Sequence, residues 1–204
     1  LTMGAEKMSK SVGNIVTIRE LLESYDGEVL RYALLSGQYR QSLVWEERLL
    51  KQARSSLDTL YQALRTATSD SPNTARFYAD SPASAFPNAV LEALADDLNT
   101  PIALASLHAL AGKIHGADNE AEKSYLREKL LAGGWLLGIL NTPVEEYFQT
   151  DAALDSASIQ VLIDEREAAR NAKDFARADQ IRDQLLESGI ELEDTSEGTR
   201  WRTL

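Results

Sequence analysis

Cysteine is absent from the 204-residue chain, which excludes disulfides and thiolate metal sites within it and fits a cytoplasmic protein. Histidine is nearly absent: His108 and His115 are the only two. Seven residues apart, they lie two helical turns from each other, beyond the i, i+4 spacing with which a helix grips one metal ion. Both are therefore expected to be structural or surface groups. No apolar run is long enough to span a membrane, and "LTMGAEK" has neither the apolar core nor the cleavage pattern of a secretory signal. The chain enters at once into a loop-like stretch, so it reads as part of a longer polypeptide.

Positive charge is also scarce. Lysine and arginine number 21 against 32 acidic residues, a net charge of −11, and residues 151–204 alone hold 7 basic and 13 acidic. No segment is a general polyanion-binding surface. Any nucleic-acid contact must come from a few placed residues. Serines are plentiful, but none sits in a nucleophile-elbow pattern. Asp96 and Asp97, adjacent in a helical run, diverge and read as a solvated face.

What the chain has in abundance is helical periodicity. Asp26 is placed to cap a helix with Val29, Leu30, Ala33 and Leu34 on one face, stopped near Gly37. From Trp45 to Arg65, Leu49, Leu50, Ala53, Leu57, Leu60, Tyr61 and Leu64 recur at helical spacing, with Lys51, Arg54 and Asp58 opposite. Residues 66–88, rich in proline and small polar side chains, read as a loop. After "AVLEALADDLNT", Thr100 and Pro101 signal a new start, hydroxyl cap then proline, and Gly116 ends that run. A further helix over 120–140 is expected to be softened by Gly133 and Gly134. Residues 141–158 read as a linker to two short helices, the second capped by Gly189, then to a hairpin in which Ile190 and Leu192 alternate with Glu191 and Glu193. The expected fold is mainly α: a helical bundle over 45–150, preceded by a loop region (1–44) and followed by a small helix pair plus β-hairpin unit (151–204).

One string stands apart from this pattern. Lys7-Met8-Ser9-Lys10-Ser11, followed by "VGN", sets two ammonium groups three residues apart among small hydroxyl residues. Phosphoryl oxygens accept from lysine, hydroxyl and backbone donors alike, so such a loop suits a polyphosphate. A bare K-x-x-K is more often a solvated surface turn, but the full string favours the phosphate reading.

That string resembles the signature loop of class I aminoacyl-tRNA synthetases. The longer run "KMSKSVGNIVTIRELLESYDGEVLRYALLSGQYRQSLVW" is similar to cysteinyl-tRNA synthetases. "DDLNTPIALASLHAL" resembles the helical domain of that family, and "ARNAKDFARADQIRDQLLESGIELEDTSEGTRWR" its anticodon-recognition unit. The resemblance implies the C-terminal portion of an enzyme that joins cysteine to ATP and transfers it to tRNA(Cys). By that resemblance, Lys10 contacts ATP phosphates, Lys7 assists, and Ser9 and Ser11 shape the loop. Arg170, Phe175, Asp179, Asp194 and Trp201 fall where the family contacts the anticodon. Each has a plainer alternative: Phe175 as a core residue packing with Ile181, Trp201 as the hydrophobic seal of the hairpin, the others as salt-bridge partners.

The family also uses Mg2+ with ATP, and zinc for thiol selection, with the zinc ligands outside this chain. The chain alone is expected to bind tRNA at best and not to catalyse, to be a monomer, and to avoid membranes. Two rivals remain. The cysteine ligase of mycothiol biosynthesis shares the signature loop but needs no anticodon reader. A non-catalytic helical RNA-binding module would leave "KMSKS" unexplained.

Overall fold

A computed structural model of the chain describes residues 2, 3, 6, 7, 9, 15–67, 82–149, 154–195 and 198–203. The chain forms two compact units, Leu1–Val144 and Glu145–Leu204.

The first unit opens on a two-stranded ribbon, β1 (Thr2–Met3) and β2 (Glu6–Lys7), and a single-turn helix, α1 (Ile18–Leu21). Thr17 and Glu20 close a reciprocal capping box at the start of α1. The bundle consists of α2 (Gly27–Leu35), α3 (Glu47–Thr66), α4 (Asn88–Ala95), α5 (Thr100–Gly116) and α6 (Glu120–Leu137). Helix α5 is its axis, packed against α2, α3, α4 and α6. Its inward residues Leu104, Leu107, Ala111 and Ile114 are buried, as are Leu57, Leu60 and Leu64 of α3 and Leu130 and Leu131 of α6, two of the helices it packs on. The helical periodicity of α3 and α5 thus maps onto burial, as apolar stripes require.

A polar clamp ties three elements of this unit together. The Tyr61 hydroxyl donates to Glu28 Oε2 at 2.8 Å, and the other Glu28 oxygen accepts from the Asn141 amide at 2.7 Å. The Thr142 amide in turn donates to the Tyr61 hydroxyl at 3.2 Å. Burial first, then Glu28, pushes the Tyr61 phenol far above its ordinary range. His108 bonds the Tyr32 hydroxyl at 2.8 Å, and its burial lowers the imidazole pKa. It is a structural histidine, and His115 is exposed.

Several local expectations give way to packing. The cap of α5 is Asn99, whose side chain accepts from the Ile102 amide, which places Thr100 inside the helix. The reason lies just upstream: Asp97 and Leu98 both adopt positive φ, and this left-handed turn delivers Asn99 rather than Thr100 to the helix start. The same turn takes Asp97 out of the helix. Asp97 receives Arg40 Nε at 2.8 Å and the Tyr39 hydroxyl at 2.7 Å, so it clasps the 38–40 loop. Asp26 begins α2 without a side-chain cap bond and instead pairs with Arg54 at 2.9 Å. Leu34 stays 45% exposed. Gly133 and Gly134 do not soften α6. A Cβ at Gly133 would stand 2.5 Å from Leu107 Cδ2, and one at Gly134 2.8 Å from Leu140 Cδ1, so both are glycine because helix and loop approach too closely for a side chain. Of the 66–88 loop, the described part holds a 3₁₀ turn at Ala83–Ala85; residues 68–81 lie outside the described residues.

The expected linker contains a helix, α7 (Val144–Gln149), which begins on the last residue of the first unit and opens the second; its Tyr147 and Phe148 are buried and meet edge to face at 5.3 Å. Helices α8 (Ser156–Asn171) and α9 (Phe175–Glu187) then pack on each other, and strands β3 (Ile190–Thr195) and β4 (Gly198–Thr203) form an antiparallel hairpin. Gly189, at φ 74°, turns the chain from α9 into β3. The core is small: Ile159, Ile163, Ile181, Leu185, Ile190 and Trp201.

Candidate nucleic-acid interface

The candidate residues fall in two places. At the start of the chain, Thr2 pairs with Lys7 across the ribbon. Thr2 is also anchored by backbone bonds of 3.0 Å to the Leu43 carbonyl and 2.7 Å from the Trp45 amide. This ties the ribbon that carries the Lys7 backbone to the 43–45 segment. Ser9 is partly buried; Lys10, Ser11 and the Lys7 side chain lie outside the described residues. Beside this strand, α1 and α2 border an open apolar groove of about 520 Å³, lined by Val16, Leu21, Leu22, Leu30, Leu35 and Trp45. Ile18 and Leu22 at its edge remain largely exposed.

The second place is the far end of the helix pair and hairpin. Side chains alternate across a strand, so Ile190, Leu192 and Asp194 share one face of β3. The register pairs Leu192 with Trp201 and Asp194 with Thr199, which puts Thr199 and Trp201 on that same face. Two consequences follow. Trp201 is only 5% exposed and belongs to the core: it seals the unit. Asp194 ends the same row at the rim of the core, where its side chain stays 44% exposed.

Its partners come from α8. Arg166 holds Asp194 bidentately, Nη1 to Oδ1 at 2.8 Å and Nη2 to Oδ2 at 2.9 Å. Arg170, one turn along the same helix face, donates to Oδ2 at 2.7 Å, and the Thr199 hydroxyl donates to Oδ1 at 2.9 Å. The Arg166 bonds first, then Thr199 and Arg170, hold the Asp194 carboxyl well below its usual range. Arg166 is 9% exposed. Nothing local announces it: its partner is 28 residues away, and only the i, i+4 spacing to Arg170 hints at a shared role.

Asp179 is exposed and 3.4 Å from Arg182, its i+3 neighbour. Its charge also reaches Arg166, where it adds to the larger effect of Asp194 in raising the guanidinium pKa. Phe175, the first residue of α9 after the capping Asp174, is 63% exposed and so does not pack in the core with Ile181. Arg170, Asp179 and Asp194 are thus gathered around Arg166, with an exposed aromatic ring at the neighbouring helix start, while Trp201 is turned inward.

A pH dependence follows from Asp194. Its carboxyl is depressed from 3.8 in the folded state, so its contribution is complete above about pH 4 and is lost as pH falls below it. Asp194→Asn is expected to weaken the second unit by about 1–2 kcal/mol at neutral pH, after allowance for the half-exposed carboxylate. The gap between variant and parent should close on acidification below pH about 4. Urea unfolding at several pH values checks this; a gap independent of pH would contradict it.

Among the described residues, no three histidine, cysteine or acidic side chains converge as a metal site, and no helix is long and apolar enough to cross a membrane. Three family models match the chain in order: the class I (C) tRNA synthetase catalytic domain over 1–55, the DALR domain over 89–141, and the cysteinyl-tRNA ligase anticodon binding domain over 155–202. The chain is 46% identical over 204 residues to a cysteine–tRNA ligase of Xanthomonas campestris pv. campestris, matching 99% of the chain and 42% of that protein. It is 45% identical to those of Parvibaculum lavamentivorans, over 99% of the chain and 42% of the relative, and Gluconobacter oxydans, over 99% and 41%. The chain thus spans about 42% of the length of such relatives. These matches, with an anticodon binding domain over 155–202, leave the mycothiol-ligase reading without support.

Proposed function

We propose that this chain, related over 99% of its length to cysteine–tRNA ligases, is the C-terminal, tRNA-binding portion of such an enzyme. The complete enzyme activates cysteine with ATP and Mg2+ and transfers it to tRNA(Cys). Binding resides at the end of the second unit, where Arg170 and Asp179 offer hydrogen-bonding groups and Phe175 a stacking surface. Splayed anticodon bases are recognised by this combination of stacking and edge contacts. Such contacts work on an acidic unit because they address bases rather than phosphates. The observation that carries this reading is that an exposed Phe175 at the start of α9 and the Arg166–Arg170–Asp194 cluster both fall within the stretch matched by the anticodon binding domain.

In this reading Lys7 and Lys10 act on ATP phosphates together with catalytic-domain residues that the relatives carry beyond the matched part, and the match of residues 1–55 to a catalytic-domain model supports it. The apolar groove between α1 and α2 is a surface for those residues. Zinc, in this reading, is held elsewhere in the ligase. The protein works in the cytoplasm as a monomer.

Titration of the chain with a tRNA bearing the cysteine anticodon, against the same tRNA with a scrambled anticodon, tests the reading. Tighter binding of the first by at least tenfold is expected. Equal, weak and salt-sensitive binding of both would leave a general helical RNA-binding module in its place.

A further inference from the structure

Asp194 has no acceptor capacity to spare. A carboxylate offers about four lone-pair sites. Here two are filled by Arg166, one by Arg170 and one by the Thr199 hydroxyl, at 2.7 to 2.9 Å. Arg166 Nη1 also approaches the Thr199 hydroxyl at 3.4 Å, which closes the set into a ring. For Asp194 to accept from the amino group of a base, one of these partners must leave, and the most buried of them is Arg166. Arg170 is the opposite case. It gives one N–H to Asp194, a guanidinium carries five, and its side chain is 48% exposed.

The geometry points to Arg166 as a positioning residue for anticodon specificity: buried, it fixes Asp194, Asp194 fixes Arg170, and Arg170 is the group that meets the base edge. This rests on the anticodon-binding reading above. The order of the chain matters physically. Two arginines at i, i+4 repel each other, and the shared carboxylate turns that repulsion into one orientation for the exposed guanidinium. A planar donor fork held in place loses less freedom on meeting a base than a mobile one. Asp194, on this account, orders the reader instead of reading.

The test uses the full chain and tRNA transcripts with the cysteine anticodon and with single-base anticodon variants. Arg166→Met keeps the packed stem and removes the fork. It should lower the ratio of affinities between cysteine and variant anticodons about tenfold while changing the affinity for a scrambled anticodon less than twofold. Arg166→Met combined with Arg170→Met should lose no more discrimination than Arg170→Met alone, a coupling that a merely structural role would not produce. Thr199→Val, which removes one hydroxyl at an edge position, should lower the ratio about threefold and serves as the reading variant if Arg166→Met fails to fold by near-UV circular dichroism. Undiminished discrimination in a folded Arg166→Met or in Thr199→Val overturns the inference, as does a gain, which would mean that the released Asp194 reads the base itself. Absence of discrimination in the parent chain overturns the anticodon reading beneath it, and is recognised before any variant is compared.

Discussion

Trp201→Ala is expected to unfold the second unit, not merely to weaken its hold on tRNA. The indole is 5% exposed and is the largest member of a core whose other fully buried residues are five aliphatic side chains. Truncating a buried tryptophan costs about 3–5 kcal/mol. A unit of this size, Glu145–Leu204, has little reserve, because small domains bury a low fraction of their surface. Hydrogen exchange on the full chain should therefore find protection lost across α8, α9 and the hairpin, while α5 keeps its own. Retained protection with weakened tRNA binding would make Trp201 a reader of bases and would contradict its assignment to the core. Phe175→Ala is the natural contrast, since an exposed ring can be removed without opening a cavity.

The second large effect belongs to Lys10. In the intact ligase, Lys10→Ala is expected to slow cysteinyl-adenylate formation on the order of 100-fold, with cysteine binding little changed. Charge moves onto the leaving pyrophosphate in the transition state, and a lysine placed there interacts more strongly with that state than with bound ATP. Removing one such preorganised contact costs on the order of 3 kcal/mol. This expectation rests on the string itself and on the catalytic-domain match over 1–55. Pyrophosphate exchange measures it, and an unchanged exchange rate would sink it.

The parts of the fold that were legible in the sequence are those set by local periodicity. The stripe from Leu50 to Leu64 foretold α3, and the breaks at Pro101 and Gly116 bracketed α5. Alternation over 190–194 gave the hairpin, yet the fate of Trp201 depended on register. With Leu192 opposite Trp201 the indole and the aliphatic row share a face, and a one-residue slip would turn the indole to the other side. What escaped was non-local. Asp97 reads as one of a solvated acidic pair until the left-handed turn presents it to Arg40. Gly133 and Gly134 read as weak points until Leu107 and Leu140 are seen against them.

The interface divides in the same way. Arg170, Asp179 and Asp194 are candidates through the resemblance alone, and the strand period explains why Asp194 turns toward α8. Arg166 was missed because its partner comes from a strand 28 residues downstream, and sequence spacing carries no trace of such a pair. The resemblance makes Phe175 a stacking residue and helix patterning allows it a core place beside Ile181; its position at the first turn of α9, after the Asp174 cap, leaves it 63% exposed.

The central claim is that an acidic unit recognises an anticodon by its bases. Affinities of the chain for the cysteine anticodon and for a scrambled one, measured at low and at physiological salt, test it most directly. Phosphate contacts weaken with salt through counterion release, whereas base-edge contacts set the ratio between sequences. Both affinities should fall as salt rises while their ratio stays at tenfold or more. A ratio near one at either salt concentration would contradict the account.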